Sequence, residues 1–375
     1  MFKKLIQQYT KKAPDWPFMI ALGLLILFGI LILSSASAPN AFERFGDSYY
    51  YTKHQVFFGL LPGIAFFIFF SLVDYQKWKK AAFGMLMFSI ALLVLVFVPG
   101  IGAEYGTAQS WINILGFSVQ PSEIVKLTFL IYLATWLESR GHQRAGDLNE
   151  GLYPFLFSLG VIMFLMIMQP DIGTMLIIVG MSMAVYFVGG ASIKHIMGLG
   201  ALGVVGILLL IKLSPYRSAR FMTFLHPELD PQGVGYHINQ AFLAIGSGGL
   251  FGKGFGLSRQ KFQYLPEVMG DSIFAILSEE LGFIFATITI VVFIYLMIRG
   301  FKIAMASKDV FGKLLVTGVI SWFVFQAFVN IGAMIGILPL TGVPLPFISY
   351  GGTALVISMA AAGVVVNVSR HVIIE

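Results

Sequence analysis

Four carboxylates stand at the edge of a long uncharged run in "YLPEVMGDSIFAILSEELG", residues 264–282: Glu267, Asp271, Glu279 and Glu280. An ionised group at membrane depth is costly and usually serves a function. Asp271 directly precedes the apolar run, so it could cap the helix that starts there or act as a general base toward a hydroxyl group. The two roles are compatible. Glu279 and Glu280 lie deeper, and we expect them to be interior hydrogen-bonding partners that seat the helix.

A second charged pair lies in "QPSEIVKL", residues 120–127. Pro121 suits the first turn of a helix, and Glu123 and Lys126, three residues apart, share one helix face. Such charges should face the interior of a helix bundle rather than lipid. The pair is therefore either a structural ion pair that pins the helix or part of a polar cavity, and spacing alone leaves both readings open.

Basic residues and glycines crowd the segment before Asp271. Five cations there could bind a diphosphate, or simply face solvent and lipid head groups: Arg217, Arg220, Lys253, Arg259 and Lys261. The glycine-rich run 246–256 does not match the nucleotide-binding pattern G-x-x-x-x-G-K-[ST], because Ser247 replaces the first glycine and Gly254 follows the lysine. The glycines instead predict tight turns in a loop that lies on the membrane surface.

Membrane helices must position these residues. Hydrophobic residues make up 58% of the 375 residues and charged residues 11%, against about 25% charged in a soluble domain. Apolar stretches of about 20 residues, long enough to cross a bilayer, recur along the chain. We predict an all-α polytopic membrane protein with ten spans, near 17–37, 54–73, 80–99, 121–138, 151–169, 172–189, 194–213, 271–298, 313–335 and 350–369.

The distribution of Lys and Arg predicts the orientation, since basic residues collect on the cytoplasmic side. With the amino terminus inside, the short outer loops hold only Arg44 and Lys53, whereas the inner segments hold Lys3, Lys4, Lys11, Lys12, Lys77, Lys79, Lys80, Arg140, Arg144, Lys194, Arg299, Lys302, Lys308, Lys313 and Arg370. Both termini are therefore predicted to be cytoplasmic. We expect one ten-span domain, 1–375, with a cytoplasmic tail at 1–16 and a large extracytoplasmic loop at 214–270 between spans 7 and 8.

The remaining patterns limit the chemistry. No cysteine is present, and the histidines form no H-E-x-x-H pattern, so the sequence indicates neither thiol chemistry nor a zinc site. The prolines of "LPLTGVPLPFISYGG", residues 338–352, forbid a continuous helix. They predict a non-helical loop before the last span, which at membrane depth must be surrounded by protein or water.

Several longer motifs, in order along nearly the whole chain, resemble the SEDS family of shape, elongation, division and sporulation proteins. The motifs are "QPSE" at 120–123, "QPDIGT" at 169–174, "GYHINQAFLAIGSGGLFGKG" at 235–254, "YLPE" at 264–267, "EELG" at 279–282 and "PFISYGG" at 346–352. Within this family, "LSRQKFQYLPE" is more similar to the division protein FtsW than to the elongation protein RodA.

The resemblance implies ten spans and a peptidoglycan glycosyltransferase of the bacterial cytoplasmic membrane. Such enzymes polymerise lipid II, a disaccharide-pentapeptide on undecaprenyl diphosphate, at the outer face of that membrane. They work with a class B penicillin-binding protein and with other divisome or elongasome membrane proteins; no nucleic acid is involved. By the same resemblance, Asp271 is the catalytic aspartate, Glu267 an outer-loop site residue, and Glu123 and Lys126 a polar cavity pair.

On this basis we expect Asp271 to take a proton from the acceptor 4-hydroxyl, which then attacks the donor anomeric carbon and inverts it to a β-1,4 bond. The leaving diphosphate requires cations, and the candidates are Lys126, the loop residues Arg217, Arg220 and Lys261, and a divalent ion, Mg²⁺ or Mn²⁺. No cofactor is certain from the sequence. Glu267 would position the acceptor or hold such an ion.

Four residues depart from the family pattern. Gly270 and Ser272 flank Asp271 where T-D-F is common, Ser110 stands where an arginine usually precedes Trp111, and Thr341 replaces a lysine found in some relatives. These departures affect substrate contacts more than the reaction. Two other functions remain open: a flippase for the same lipid-linked precursor, and a non-catalytic divisome scaffold. The site residues lie at predicted outer helix ends rather than along a path across the bilayer, which favours the enzyme.

Overall fold

The computed structural model describes residues 13–100, 102–105, 108–114, 117–226 and 233–372. Lys3, Lys4, Lys11 and Lys12, used for the orientation, lie outside the described residues. The described chain is mainly helical, with a small sheet between the third and fourth helices. Its helices are α1 (Trp16–Phe45), α2 (Tyr50–Leu72), α3 (Tyr75–Leu95), α4 (Pro121–Ala145), α5 (Leu148–Met168), α6 (Ile172–Val188), α7 (Ile193–Lys212), α8 (Pro215–Leu225), α9 (Val234–Gly248), α10 (Ile273–Ala306), α11 (Val310–Met334) and α12 (Gly352–Ser369).

Helices occupy all ten positions where the sequence predicts spans. In the described part of the chain, eight are long and apolar enough to cross a membrane: α1, α2, α3, α5, α7, α10, α11 and α12. The other two are α6, which is shorter, and α4, which carries Glu123 and Lys126. The polytopic helical membrane fold is confirmed. The count of ten crossings and the division of the chain into tail, spans and outer loop stay predictions.

The two last helices form the centre of the bundle. Most residues of α11 and α12 are buried, whereas α7 has none buried and lies at the periphery. Small residues allow α12 to approach α2 closely: a Cβ added at Gly363 would lie 2.5 Å from the carbonyl oxygen of Phe67. Close backbone approach of this kind is how membrane helices gain packing energy where lipid removes the hydrophobic driving force between them.

The two ends of the described chain lie on one face. Arg299 near the end of α10 bonds with Asp15 ahead of α1 (Nη2 to Oδ2, 2.9 Å), and the Asp15 amide donates to Ser369 Oγ at the end of α12 (3.1 Å). On the same face, Tyr75 donates to Asp309, which caps α11. This agrees with an even number of crossings between Asp15 and Ser369. Which face is cytoplasmic stays a prediction.

The small sheet was not predicted. It contains β1 (Gly102–Tyr105), β2 (Ala108–Ile114) and β3 (Phe117–Val119), all antiparallel in the order β1-β2-β3. Register pairs Ala103 with Trp111 and Ile112 with Val119. β2 packs against α4, so the sheet lies over the helix that carries Glu123 and Lys126. Ser110, one of the departures from the family pattern, is buried in β2.

The segment before Asp271 contains two helices, α8 and α9, and then a coil that returns to α10. Helix α10 is interrupted at Gly282, whose φ is 78° and ψ −175°. Segments 249–254 and 279–284 exchange backbone hydrogen bonds of 2.9 to 3.3 Å across the interruption. Two loop amides donate to carbonyls that the break leaves free, and two loop carbonyls accept from the amides that follow it: Lys253 to Glu279, Gly254 to Glu280, Phe283 to Gly249 and Ile284 to Leu250.

The glycine-rich run is therefore the segment that docks on the break in α10, rather than a loop that merely lies on the membrane surface. A Cβ at Gly252 would lie 2.2 Å from the carbonyl oxygen of Glu280, and one at Gly282 would lie 2.3 Å from the amide nitrogen of Gly252. Only glycines allow backbones to approach this closely. Unpaired backbone groups cost several kcal/mol in an apolar interior, so this docking is what makes the break tolerable.

We expect Gly282→Ala to destabilise the protein by about 2 kcal/mol or more, because it combines a left-handed φ with a backbone clash. Gly23→Ala in α1 is the matched control, since a Cβ there has nothing within 4 Å. Thermal unfolding in detergent should show a lower Tm for Gly282→Ala and an unchanged Tm for Gly23→Ala. Equal melting of the two variants would contradict the docking account.

Candidate active site

Asp271 lies two residues ahead of α10, in a turn that two other elements hold by its backbone. Asn330 on α11 donates to the Asp271 carbonyl oxygen (2.8 Å). The "PFISYGG" segment holds the preceding residues, since Ser349 Oγ donates to the Gly270 carbonyl (2.6 Å) and the Tyr350 amide to the Met269 carbonyl (2.8 Å). The position of the carboxylate is thus set by residues far away in sequence.

The Asp271 carboxylate is half-buried. Burial raises its pKa from 3.8 to about 6, and the positive charge of Arg220 and a hydrogen bond from Ser272 oppose that rise. A carboxylate with a pKa near 6 is ionised at neutral pH yet basic enough to take a proton, which is the requirement for a general base. The N-cap residue of α10 is Ser272 rather than Asp271. The role of Asp271 as a base stays a prediction.

Glu267, four residues earlier, has a left-handed backbone with φ 48°. Its carbonyl accepts hydrogen bonds from the amides of Gly270 (2.9 Å) and Ser272 (3.2 Å), which close the turn around Asp271. Left-handed backbone at a non-glycine residue costs about 1–3 kcal/mol and concentrates at functional sites. The side chain is exposed overall, but desolvation by the nearby protein and the negative charge of Asp271 raise the pKa of Glu267.

Arg220 is the predicted loop cation that the structure brings to the site. It lies on α8, donates to the Leu340 carbonyl (Nη1, 3.4 Å), and its charge acts on both Asp271 and His237. Arg217 lies one turn earlier on α8, and its side chain is outside the described part of the structure.

Lys261 lies beside Glu280 and Ser35. It is buried, and its ammonium group bonds with Glu280 Oε1 (2.8 Å), Ser35 Oγ (2.8 Å) and the Gly256 carbonyl (2.7 Å). Three acceptors use all three of its N–H groups, so the geometry favours a structural role over substrate binding.

Glu279 is held in the same way by Lys253 Nζ (2.6 Å) and by the amides of Arg259 and Gln260 (both 3.2 Å). The prediction that Glu279 and Glu280 are interior hydrogen-bonding partners is confirmed, and their main partner is the segment 253–261 that precedes α10.

Glu123 and Lys126 form a buried ion pair on α4, with 2.8 Å between Oε1 and Nζ and side chains 2% and 1% exposed. Lys126 also donates to Gln326 Oε1 on α11 (2.9 Å) and lies 4.5 Å from the centre of the Trp322 ring. Gln326 in turn donates to the Pro344 carbonyl (2.9 Å). The pair is therefore bonded to α11 one turn before Asn330, the residue that holds Asp271.

The "QPSE" and "QPD" motifs meet at this end of α4. Ser122 Oγ and Gln120 Nε2 both donate to Asp171 Oδ2, at 3.0 and 3.3 Å, while Asp171 Oδ1 accepts from the Thr174 amide and caps α6. The predicted non-helical loop 338–352 packs over the same region. Its part 343–349 is mostly buried by protein, with Asn330 and Gln326 satisfying the carbonyls of Val343 and Pro344.

Sequence reasoning missed His237. It lies on α9, and its Nε2 is 2.6 Å from Ser272 Oγ, beside Asp271. Burial and the positive charge of Arg220 lower its pKa to about 4, so the imidazole is neutral at physiological pH. The only signal for it in the sequence was its place inside the "GYHINQ" motif.

Within the described ranges, no group of three or more His, Asp or Glu side chains converges as a metal site. Glu267 and Asp271 are the carboxylates nearest to the proposed chemistry, and carboxylate oxygens are suitable ligands for Mg²⁺.

The architecture and site define a polytopic membrane protein with one partly desolvated carboxylate at the head of a broken helix. A family model described as a cell cycle protein, covering FtsW, RodA and SpoVE, matches residues 15–373. The chain is 42% identical over 366 residues to stage V sporulation protein E of Bacillus subtilis (96% of this chain, 99% of the relative). It is 37% identical over 348 residues to a probable peptidoglycan glycosyltransferase FtsW of Geobacter sp. strain M18 (93% and 94%). The chain belongs to the FtsW/RodA/SpoVE family.

Solved structures agree. One matching chain comes from a structure described as "Structural coordination of polymerization and crosslinking by a peptidoglycan synthase complex". It matches with a TM-score of 0.79 and 26% identity, over 96% of this chain and 98% of that one. The rod shape determining protein RodA of Thermus thermophilus matches with a TM-score of 0.70 and 26% identity, over 96% and 97%. The resemblance to the SEDS family is confirmed, and the FtsW names fit the predicted similarity within it.

We expect Lys126→Met to destabilise the protein by about 3–5 kcal/mol, because it leaves the Glu123 carboxylate buried without its counter-ion. The double variant Glu123→Gln, Lys126→Met should recover most of that stability. Lys53→Met is the control, because the Lys53–Asp47 ion pair is exposed and contributes little to stability. Thermal unfolding measures all three. A double variant that melts like the wild type but has lost activity would show that the pair does more than pin α4.

Proposed function

We propose that this chain is the inverting peptidoglycan glycosyltransferase that polymerises lipid II at the outer face of the bacterial cytoplasmic membrane. The observation that carries the proposal is the half-buried Asp271, with its pKa raised to about 6 and with Arg220 as a nearby cation. The relatives named probable peptidoglycan glycosyltransferase and membership of the FtsW/RodA/SpoVE family support it.

In the proposed reaction, Asp271 accepts the proton of the acceptor 4-hydroxyl as the oxygen attacks the donor anomeric carbon. The new C–O bond forms while the bond to the diphosphate breaks, and the leaving group departs with the electron pair. Attack from the face opposite the diphosphate converts the α-linked donor into a β-1,4-linked product. Glu267, held in a strained turn beside Asp271, positions the acceptor.

The cations that could assist the leaving group differ in whether they are available to it. Arg220 acts on Asp271 electrostatically and is therefore close to the chemistry. Lys126 and Lys261 are both buried and bonded to carboxylates, so in the observed arrangement neither is available to a diphosphate. A divalent ion, Mg²⁺ or Mn²⁺, would be held by Glu267 and would neutralise charge on the diphosphate.

The proposed partner is a class B penicillin-binding protein that cross-links the strands. The matching structure that describes polymerization and crosslinking in one peptidoglycan synthase complex supports this pairing. The partner would work on the face of the membrane that carries Asp271, which we propose is the outer one.

We expect Asp271→Asn to lower the rate of lipid II polymerisation at least about a hundredfold, because a general base contributes about 10²–10⁴ in rate. Asparagine keeps the size of the side chain, so folding should be preserved. Asp47→Asn, at an exposed ion pair, is the matched control. The assay uses the reconstituted full chain with and without a penicillin-binding protein that cannot itself make glycan.

If the wild type and Asp271→Asn made equal amounts of glycan, Asp271 would not be the general base. No glycan from the wild type, even with the partner, would instead favour a flippase or a scaffold. Transport of labelled lipid II across vesicle bilayers would then separate these two functions.

The rate of polymerisation should fall as the pH drops through about 6. The carboxylate must be ionised to accept a proton, and its raised pKa places the loss of the ionised form there rather than near 4. Below that pH the rate should fall about tenfold per pH unit, as for a single titrating base. A rate that stays constant down to pH 5 would contradict the assignment.

A further inference from the structure

Exposed aromatic residues stand where α1 ends and α2 begins: Phe42, Phe45, Tyr49 and Tyr50. The rings of Phe45 and Tyr50 are stacked, with 3.7 Å between their centroids and 13° between their planes. Phe45 is nevertheless 48% exposed and Tyr50 38% exposed. Each ring therefore covers part of the other and leaves aromatic surface open. We call the pair Phe45 and Tyr50 the aromatic ledge.

The length of α1 places the ledge beyond the belt of aromatic residues that membrane proteins carry at the membrane–water interface. Asp15 directly precedes α1 at one face of the membrane, and Ser35 lies 20 residues further along the chain. That separation is about 30 Å at 1.5 Å per residue, which is the thickness of the hydrocarbon core. Phe45 lies about 15 Å beyond Ser35 along the same helix, whereas the head-group layer is only about 5–8 Å deep.

Helix α10 gives the same level independently. Arg299, which bonds with Asp15, and Glu280 lie 19 residues apart, or about 28 Å along the helix. Glu280 accepts a hydrogen bond from Ser35 Oγ (2.7 Å). Ser35 and Glu280 therefore mark one level at the far side of the hydrocarbon core, and the ledge stands in water beyond it.

The ledge is joined to the coil that carries Asp271. The Tyr51 ring makes edge-to-face contacts with the rings of Phe45 (5.7 Å between centroids) and Tyr350 (5.4 Å). The Tyr350 amide donates to the carbonyl of Met269, two residues before Asp271. The ledge and the turn around Asp271 are therefore neighbours on the same side of the membrane.

Charged side chains border the ledge on the last turn of α1. Glu43 accepts a hydrogen bond from Gln263 of the coil, and the charge of Arg44 acts on Glu267. A flat aromatic surface with polar groups at its edge fits a sugar ring, whose C–H bonds pack on the negative face of an aromatic ring while its hydroxyls bond to polar side chains. An acyl chain needs no polar border, and it would not extend so far beyond the hydrocarbon core.

We propose that the aromatic ledge is a saccharide subsite, on which Phe45 and Tyr50 stack a sugar ring of the glycan that reacts at Asp271. This inference rests on the proposed function, because it takes the occupant to be part of the same glycan. The ledge holds a sugar away from the reacting bond and touches no reacting atom. It contributes equally to the ground state and the transition state, so it changes the affinity for the glycan rather than the chemical step.

The test measures binding of chitotetraose to the full chain in nanodiscs by saturation-transfer NMR. This neutral β-1,4-linked saccharide carries no lipid, diphosphate or peptide. The variants are Phe45→Leu, Tyr50→Leu, their double variant and Phe45→Trp, and the Tm of each shows whether it is folded. Phe83→Leu is the matched control, because this phenylalanine is 69% exposed near the start of α3, toward the opposite face of the membrane.

We expect Phe45→Leu and Tyr50→Leu each to weaken chitotetraose binding about three- to tenfold, the size of one aromatic contact. The KM for lipid II should rise by a similar factor while kcat stays within about twofold of the wild type, as for binding that is uniform along the reaction. Phe45→Trp keeps a flat ring and should bind as the wild type does. Phe83→Leu should leave both measurements unchanged.

The proposal is overturned if the wild type binds no chitotetraose, or if the folded double variant binds it equally well. Variants that bind the saccharide normally but lose their complex with a penicillin-binding protein would also overturn it, and would make the ledge a protein-docking surface. If the wild type makes no glycan yet binds chitotetraose through these two rings, the proposed function fails and the saccharide subsite stands.

Discussion

The interruption of α10 at Gly282 is the constraint on which the site depends. A helix that breaks inside a membrane protein leaves backbone amides and carbonyls without partners, and an apolar surrounding makes each one costly. Segment 249–254 supplies those partners, and Lys253 and Lys261 neutralise the two glutamates just before the break. The coil that carries Glu267 and Asp271 runs between these anchors and α10. Its position is thereby determined at both ends.

A second set of bonds fixes the same coil from the other side. Gln326 and Asn330, one turn apart on α11, reach the Glu123–Lys126 pair and the Asp271 carbonyl respectively. They share the non-helical loop before α12, whose Ser349 holds Gly270. Residues in one buried hydrogen-bond network are energetically coupled, so a change at one point is felt at the others. This explains why motifs far apart in sequence form one site.

The sequence predicted the positions of the membrane helices well, because an uncharged apolar run of about 20 residues rarely forms anything other than a membrane-spanning helix. It also placed Asp271 at the start of a helix and Glu279 and Glu280 in the interior. A carboxylate next to an apolar run cannot face lipid, so it must lie at a helix end or face other protein groups. It missed the sheet over α4, where short strands between turns give a weak pattern, and it grouped Lys261 with the substrate cations. A lysine looks the same in sequence whether it faces a diphosphate or a buried glutamate.

The amino-acid sequence by itself determined the class of protein, the approximate helix boundaries and the residue types that could do chemistry, because these follow from hydrophobicity and from side-chain functional groups. Only the tertiary structure decided which cations approach Asp271 and which are used in ion pairs, that the glycine-rich run completes a broken helix, and that His237 stands beside Ser272. These facts depend on contacts between residues tens to hundreds of positions apart. Such contacts are chosen by packing and by the cost of leaving buried polar groups unpaired, which no local pattern records.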